Sequence, residues 1–360
     1  MYAADNVIIE DNINEERDED AAIKDFKAYG DVLIFDTTYR TNKYGLICAP
    51  FVGINNHWRT TMFGCAFITD EKADTFVWLL SIFKKSLCGI EPKSIFTNQD
   101  LAMSMGESSV YPNSRHRLCL WHLQKNFVSH FGTLKTNPEF KNILLAQDVS
   151  KTWIRKKKEW FDRLYGLRDK WCTTLSKDIF SAGILSSQRV EVTNRAISFK
   201  PNRTTKLLEF FHIFEATVKR WRSTEKSDNF RYTTEKPRTT TKILKHAAEV
   251  YTLNLYKDFK LEFDTSLGAY AREKTTSMQY VKFFDVSLDE DNKHTYQVIY
   301  YTLNHEFMCS CMCFTETGLL SFHILKIMQM YSIHAIPERY ILKRWTKLAK
   351  SMIWDENESV

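Results

Sequence analysis

Three cysteines crowd the phrase FMCSCMCF, at Cys309, Cys311 and Cys313, and His323 follows a short way on. Thiolates and imidazole are the donors zinc prefers, so such a cluster reads as metal chemistry or a relic of it. A second pair, Cys119 and His122, stands as C-x-x-H in CLWH. Two donors do not close a zinc site. The pair therefore binds metal with other groups, contacts a DNA end, or fixes a strand-to-helix junction as a buried Cys and a satisfied His. Asp36 ends the apolar run VLIFD. A carboxylate at a strand end either converges with others on two divalent cations, or caps a strand-to-turn junction. The run Arg155, Lys156, Lys157 and Lys158, with Lys151, Arg163, Arg168 and Lys170 nearby, is either a phosphate-contacting helix face or a solvated one.

These groups need elements to hold them. The first 25 residues are acidic, lack apolar periodicity and read as a flexible lead-in. VLIFDTTY, GLICAPFVGIN and RTTMFGCAFIT then read as three strands in an antiparallel meander, with Asn55–Asn56 turning between the second and third. DEKADTFVWLLSIFKKSL shifts to helical period, with Phe76, Leu79, Leu80 and Phe83 on one face and Thr69 or Asp70 as its cap. SIFTNQ is a fourth strand, LAMSMGES opens a helix, RHRLCLW is a fifth strand, and HLQKNFVSHF is a further helix. This order is that of an α/β, ribonuclease H-like core with a mixed sheet.

Residues 137–180 read as a helical insertion and 186–222 as helical again, with a break near Pro201. KILKHAAEVYTLNLYKDF reads as one long amphipathic helix. VKFFDVSL and HTYQVIYYTL form a hairpin, and GLLSFHILKIMQMY a helix after the cysteines, so that a small ββα zinc-finger-like unit closes the chain. The 360 residues suffice for two or three cores, and the net charge of +6 leans toward an anionic partner. No apolar run is long enough to span a membrane. The acidic start is no secretory signal, and the eight cysteines are expected as free thiols.

Three long phrases carry a resemblance to a known family. They are DVLIFDTTYRTNKYGLICAPFVGIN, then SIFTNQDLAM with YPNSRHRLCLWHLQKNF, and FSAGILSSQRVEVTN. They look like the Mutator-like transposase domain of the plant FAR-RED IMPAIRED RESPONSE family, and the resemblance covers roughly residues 26–331. It implies a lead-in over 1–25, a transposase-derived domain over 26–222 and a helical connector over 223–275. It also implies a SWIM-type zinc-finger region over 276–335 and a tail over 336–360.

Carried over residue by residue, the first ancestral acid is Asp36 and the third resembles Glu191 in RVEVTN. The second belongs to a TDQD-like phrase. This chain has TNQD, so Asn98 stands where the acid belongs, and Asp100 keeps a carboxylate two residues later, at the following helix. An amide oxygen brings no charge, and two cations of charge +2 held close together need several. A non-enzymatic protein with no divalent metal at that site is expected; the alternative is a metal-dependent transposase or nuclease remnant. Cys119 and His122 match a family hallmark. On the SWIM pattern, Cys309, Cys311 and His323 are zinc ligands, while Ser321 replaces the remaining Cys. The zinc site is then lost, three-coordinate with water, or rebuilt with Cys313.

The resemblance further implies a nuclear transcription regulator that partners DNA and forms homo- or heterodimers with related family members, away from membranes. The family's N-terminal zinc-containing domain is expected to be missing, since the acidic lead-in meets the core directly. That argues against sequence-specific promoter binding.

Overall fold

The computed structural model describes residues 18–37, 43–120, 122–123, 158–172, 175–184, 205–235, 237–239, 241–289 and 294–351. The chain divides into two compact units, one of residues 1–53 with 62–219, the other of 54–61 with 220–360.

The first unit is built on a five-stranded sheet in the order β3-β2-β1-β4-β5. Its strands are β1 (Val32–Phe35), β2 (Ile47–Ile54), β3 (Thr60–Ile68), β4 (Ser94–Thr97) and β5 (Arg115–Leu118). β1 is antiparallel to β2 and parallel to β4, and β4 is parallel to β5, so the sheet is mixed. Every residue of β1, β2 and β4 is buried. That is the mark of strands covered on both faces, and it explains why they read as unbroken apolar runs.

Helix α1 (Asp18–Tyr29) corrects the expected lead-in: residues 18–25 are already helical. Phe26 anchors it, meeting Phe63 edge-on at 5.0 Å and Phe83 at 5.8 Å. Burying this aromatic offsets the cost of ordering an acidic turn. Helix α2 (Ala73–Ser86) buries Phe76, Leu79, Leu80 and Phe83, the face expected. Its N-cap is Lys72, however, not Thr69 or Asp70. Asp70 instead accepts from the Thr75 hydroxyl at 2.6 Å, and that bond holds its carboxyl down at about 2. Helix α3 (Leu101–Val110) packs so closely on α2 that a Cβ on Gly106 would stand 2.7 Å from Cβ of Phe76. Glycine is what lets the two helices approach that far.

Within the expected insertion, α4 (Lys158–Gly166) and α5 (Arg168–Trp171) are helical. Leu164 packs with Leu118 and Leu123, joined by Leu120, Leu167 and Trp171. This ties the helices to the segment carrying Cys119 and His122. Helix α6 (Leu207–Thr234) runs past the expected end at residue 222. Pro201 lies outside the described residues.

The second unit contains an antiparallel sheet in the order β6-β7-β8-β9. It comprises β6 (Tyr270–Lys274), β7 (Val281–Ser287), β8 (Tyr296–Tyr301) and β9 (Glu306–Cys309), so the expected hairpin gains a strand on each side. The single helix expected over residues 242–259 is two, α7 (Lys242–Val250) and α8 (Leu253–Leu267). The break is made by non-local contacts. Tyr251 bridges to Thr346, the Thr252 hydroxyl donates to the carbonyl of Asn56, and Lys347 N donates to the carbonyl of Val250 at 3.0 Å.

Two further helices, α9 (Cys313–Thr317) and α10 (Phe322–Met330), flank Ser321. The segment expected as a tail folds as far as Ser351. Trp345 is completely buried and donates Nε1 to the carbonyl of Thr317 at 2.8 Å. Trp58, in the turn that Asn55 and Asn56 begin, packs on it at 4.9 Å. Burying a Trp is worth several kcal/mol, enough to fix a segment whose sequence shows no periodicity. Among the described residues no helix is long and apolar enough to cross a membrane.

Candidate functional site

Strand register brings the first set of groups together. Ile34 pairs with Phe96, and Thr97 with Leu118. Two residues beyond Ile34 is Asp36, two beyond Phe96 is Asn98, and one beyond Leu118 is Cys119. The three therefore line up at the carboxyl ends of the parallel strands, where open α/β sheets place their sites.

Asp36 is 4% exposed. Its Oδ1 accepts from the Nδ2 amide of Asn98 at 3.2 Å and from Thr37 N at 2.9 Å, while its Oδ2 faces Nε2 of His122 at 3.4 Å. The other ring nitrogen of His122, Nδ1, lies 2.9 Å from Sγ of Cys119, and His122 N donates to the same sulfur at 3.3 Å. Cys119, His122 and Asp36 thus form one continuous chain of contacts. The C-x-x-H pair lies just after β5 with Asp36 as its outer neighbour.

Asp100 does different work. It is the N-cap of α3, its Oδ1 accepting from Met103 N at 2.8 Å, while its own N–H donates to Oδ1 of Asn98 at 2.8 Å. Short acids favour this position because they satisfy an orphan helix N–H. Asn98 therefore bridges Asp36 and the start of α3 through both ends of its amide. Glu191 and Arg155, Lys156 and Lys157 lie outside the described residues; Lys158 opens α4.

A buried polar cluster that sequence reasoning missed lies behind this edge. His116, on β5, places Nε2 2.6 Å from Thr97 Oγ1 and Nδ1 3.0 Å from Lys170 Nζ, with Glu107 Oε2 at 3.5 Å. Burial, reinforced by Lys170, lowers His116 to about 3, and burial raises Glu107 to about 7. No alternation marked His116 beforehand, because its neighbour Arg117 is buried as well.

The second set is in the other unit. The Sγ atoms of Cys309 and Cys311 and a ring nitrogen of His323 lie within 4.8 Å of one another. β9 ends at Cys309, the chain turns through Met312 at φ +58°, and α10 delivers His323 from its first turn. Nδ1 of His323 lies 3.3 Å from the Ser321 hydroxyl, and its buried Nε2 has no hydrogen-bond partner. An orphaned ring nitrogen beside two thiols fits a zinc ion, since buried polar atoms are otherwise paired.

The sulfurs share their protons unequally. The neighbouring thiol of Cys309, with His323 and Ser321 beside it, holds Cys311 down at about 4, while Cys311 and burial push Cys309 up. Cys313 is pushed up to about 12 by burial. Glu262, on α8, braces the site by accepting from Phe322 N at 2.6 Å, and burial raises its carboxyl. Nothing in its helical phrase marked it beforehand.

Residues 32–126, which hold all five strands of this sheet together with Asp36, Asn98, Cys119 and His122, match the MULE transposase domain. Over most of its length the chain is similar to FAR1 and FAR1-related proteins, as its three sequence phrases imply. It is 30% identical over 352 residues to Protein FAR1-RELATED SEQUENCE 5 of Arabidopsis thaliana, covering 92% of this chain and 44% of that protein. To Protein FAR-RED IMPAIRED RESPONSE 1 of the same plant it is 29% identical over 345 residues, covering 91% and 42%. To Protein FAR1-RELATED SEQUENCE 12 it is 29% identical over 339 residues, covering 89% and 42%. The chain thus spans less than half the length of these curated relatives.

Proposed function

We propose that this chain is a catalytically inactive, transposase-derived scaffold that regulates transcription in the nucleus by binding DNA and related family members. Its five-stranded sheet is read as a ribonuclease H-like core, supported by the order β3-β2-β1-β4-β5 with one antiparallel and two parallel pairings about the centre.

The observation that carries the reading is the pair of contacts on Asp36. A two-metal nuclease leaves its carboxylate oxygens for cations. Here the amide of Asn98 donates to one oxygen, and Nε2 of His122 stands 3.4 Å from the other. The charge that would hold the cations is reduced by one at Asn98, and Asp100 serves the helix. Each missing charge at a partly buried site weakens cation binding by about several kcal/mol.

The zinc knuckle of Cys309, Cys311 and His323 has a structural part in this account, joining β9 to α10. Zinc supplies folding energy where thiolates and imidazole close around it. Arg155, Lys156, Lys157 and Lys158 supply phosphate contacts without reading sequence, so DNA binding weakens steeply with salt.

The test is a strand-cleavage and strand-transfer assay in Mg²⁺ and Mn²⁺. No product is expected from the natural chain. Cleavage that disappears on Asp36→Ala would establish the alternative, a working metal-dependent nuclease. Nuclear localisation and co-purification with chromatin or a family partner are expected for the full-length protein in plant cells.

A further inference from the structure

Resting on the zinc reading of the knuckle, we infer that the ion held by Cys309, Cys311 and His323 keeps a fourth position that no thiol of this chain fills. That position is open to an outside monodentate soft donor, a thiol foremost and imidazole second.

Cys313 is the neighbouring thiol. It is not among the three side chains whose donor atoms converge. Its Sγ lies against Thr317 Oγ1 at 3.6 Å, and Thr317 Oγ1 also donates to the Cys313 carbonyl at 2.8 Å. Cys313 is the first residue of α9, which closes at Gly318. The left-handed residue Met312 turns the chain away just after Cys311, and Cys313 presents its N–H, not its sulfur, to Cys311 Sγ at 3.5 Å. Bringing its thiol to the ion would unwind α9 and break these contacts.

The fourth side belongs to Ser321. It is 2% exposed, and its Oγ lies 3.3 Å from Nδ1 of His323, the residue that closes the trio. Its place is fixed from behind, because the next residue, Phe322, gives its N–H to Glu262. A neutral hydroxyl is a poor zinc donor beside thiolate or imidazole. A stronger soft donor therefore displaces it. Three protein ligands with a weakly held fourth position are the pattern of exchangeable zinc sites, and closed structural sites have four. The way in is past Cys309, which is only partly buried on the edge strand β9, where Met308 and Met312 are exposed. Soft thiolate matches such surroundings better than a carboxylate.

Cobalt titration of the metal-free full-length chain tests this, because the sulfur-to-cobalt charge-transfer band counts thiolates. One cobalt is expected at the knuckle, and its spectrum should shift saturably with 2-mercaptoethanol and, separately, with imidazole. Ser321→Cys should add a thiolate to the band, bind cobalt about tenfold tighter, and no longer respond to either reagent. Cys313→Ser should match the natural chain. A band weakened by Cys313→Ser, or a bound cobalt that ignores both reagents, would overturn the open position while leaving the metal site standing. Failure of the natural chain to bind cobalt at all would remove the metal site and this inference with it.

Discussion

The edge around Asp36 and the knuckle around His323 are both gatherings of metal-type donors, yet the groups that stand beside those donors differ. At the sheet edge, Asn98 and His122 meet the two oxygens of Asp36, and Asp100 caps α3. At the knuckle, Nε2 of His323 is buried without a partner beside two thiols. On the reading proposed above, the amide of Asn98 stands where a cation-binding acid is expected and donates to Asp36 instead. A hydroxyl in place of a thiol, by contrast, leaves the remaining donors converging. Loss of one ligand thus has different consequences depending on whether the replacement can neutralise what remains.

The comparison can be broken most severely at Gly318, between the knuckle's cysteines and Ser321. It sits at φ +77°, and a Cβ there would stand 2.3 Å from Cδ1 of Leu342 and 2.7 Å from Nε1 of Trp345. Gly318→Ala should cost about 2–4 kcal/mol, from backbone strain and overpacking together, and weaken metal binding at the knuckle. Chemical denaturation with a parallel zinc titration measures both. An unchanged midpoint would mean the loop does not hold the donors in place.

The sheet edge responds to charge. Asn98→Asp sets two carboxylates face to face where a 3.2 Å hydrogen bond now runs. Like charges that close raise one carboxyl, so the stability present in acid is lost as pH rises through the raised value. A cost of about 1–3 kcal/mol near neutral pH is expected, relieved by Mn²⁺ and absent in acid. A variant as stable as the parent without metal would show that Asn98 does not neutralise Asp36.

Glu107 sharpens the picture from behind the edge. Burial raises its carboxyl from 4.5 to about 7, with Lys170 opposing and His116 neutral beside it. A raised folded value means that its contribution is intact below the ordinary carboxyl value and lost as pH climbs through about 7. Glu107→Gln should therefore gain about 1–3 kcal/mol near pH 8 and little near pH 4, seen as a flatter melting profile against pH. The smallest effect belongs to Asp100→Ala, which should cost about 1 kcal/mol as a lost cap and leave divalent-metal affinity at background. A loss of measurable Mn²⁺ binding would instead place Asp100 among metal ligands.

Much of this was legible beforehand where local pattern and tertiary need agree. The buried face of α2 was readable as Phe76, Leu79, Leu80 and Phe83, and the strand carrying Asp36 as an apolar run. The turn at Asn55 was readable too, and its side-chain Oδ1 accepts from His57 N at 3.0 Å and Arg59 N at 2.9 Å. The misses share a cause: contacts distant in sequence. The long helix breaks at Tyr251 because the segment near Thr346 pairs with it, and the acidic start turns helical because Phe26 finds Phe63 and Phe83. β6 is mostly exposed and charged, so alternation gave no sign of it. Of the site, residue types fixed Asp36, Asn98 and the Cys–His trio. That His122 reaches Asp36, and that Cys313 turns aside, depended on side-chain directions that spacing does not encode.

The central claim is that the sheet edge no longer gathers cations while the knuckle still does. Crystals of zinc-loaded protein soaked in manganese, with anomalous scattering recorded at both metal edges, test it most directly. One zinc among Cys309, Cys311 and His323, with no manganese at Asp36, is the predicted result. Two well-occupied manganese ions between Asp36, Asp100 and Glu191 would contradict it.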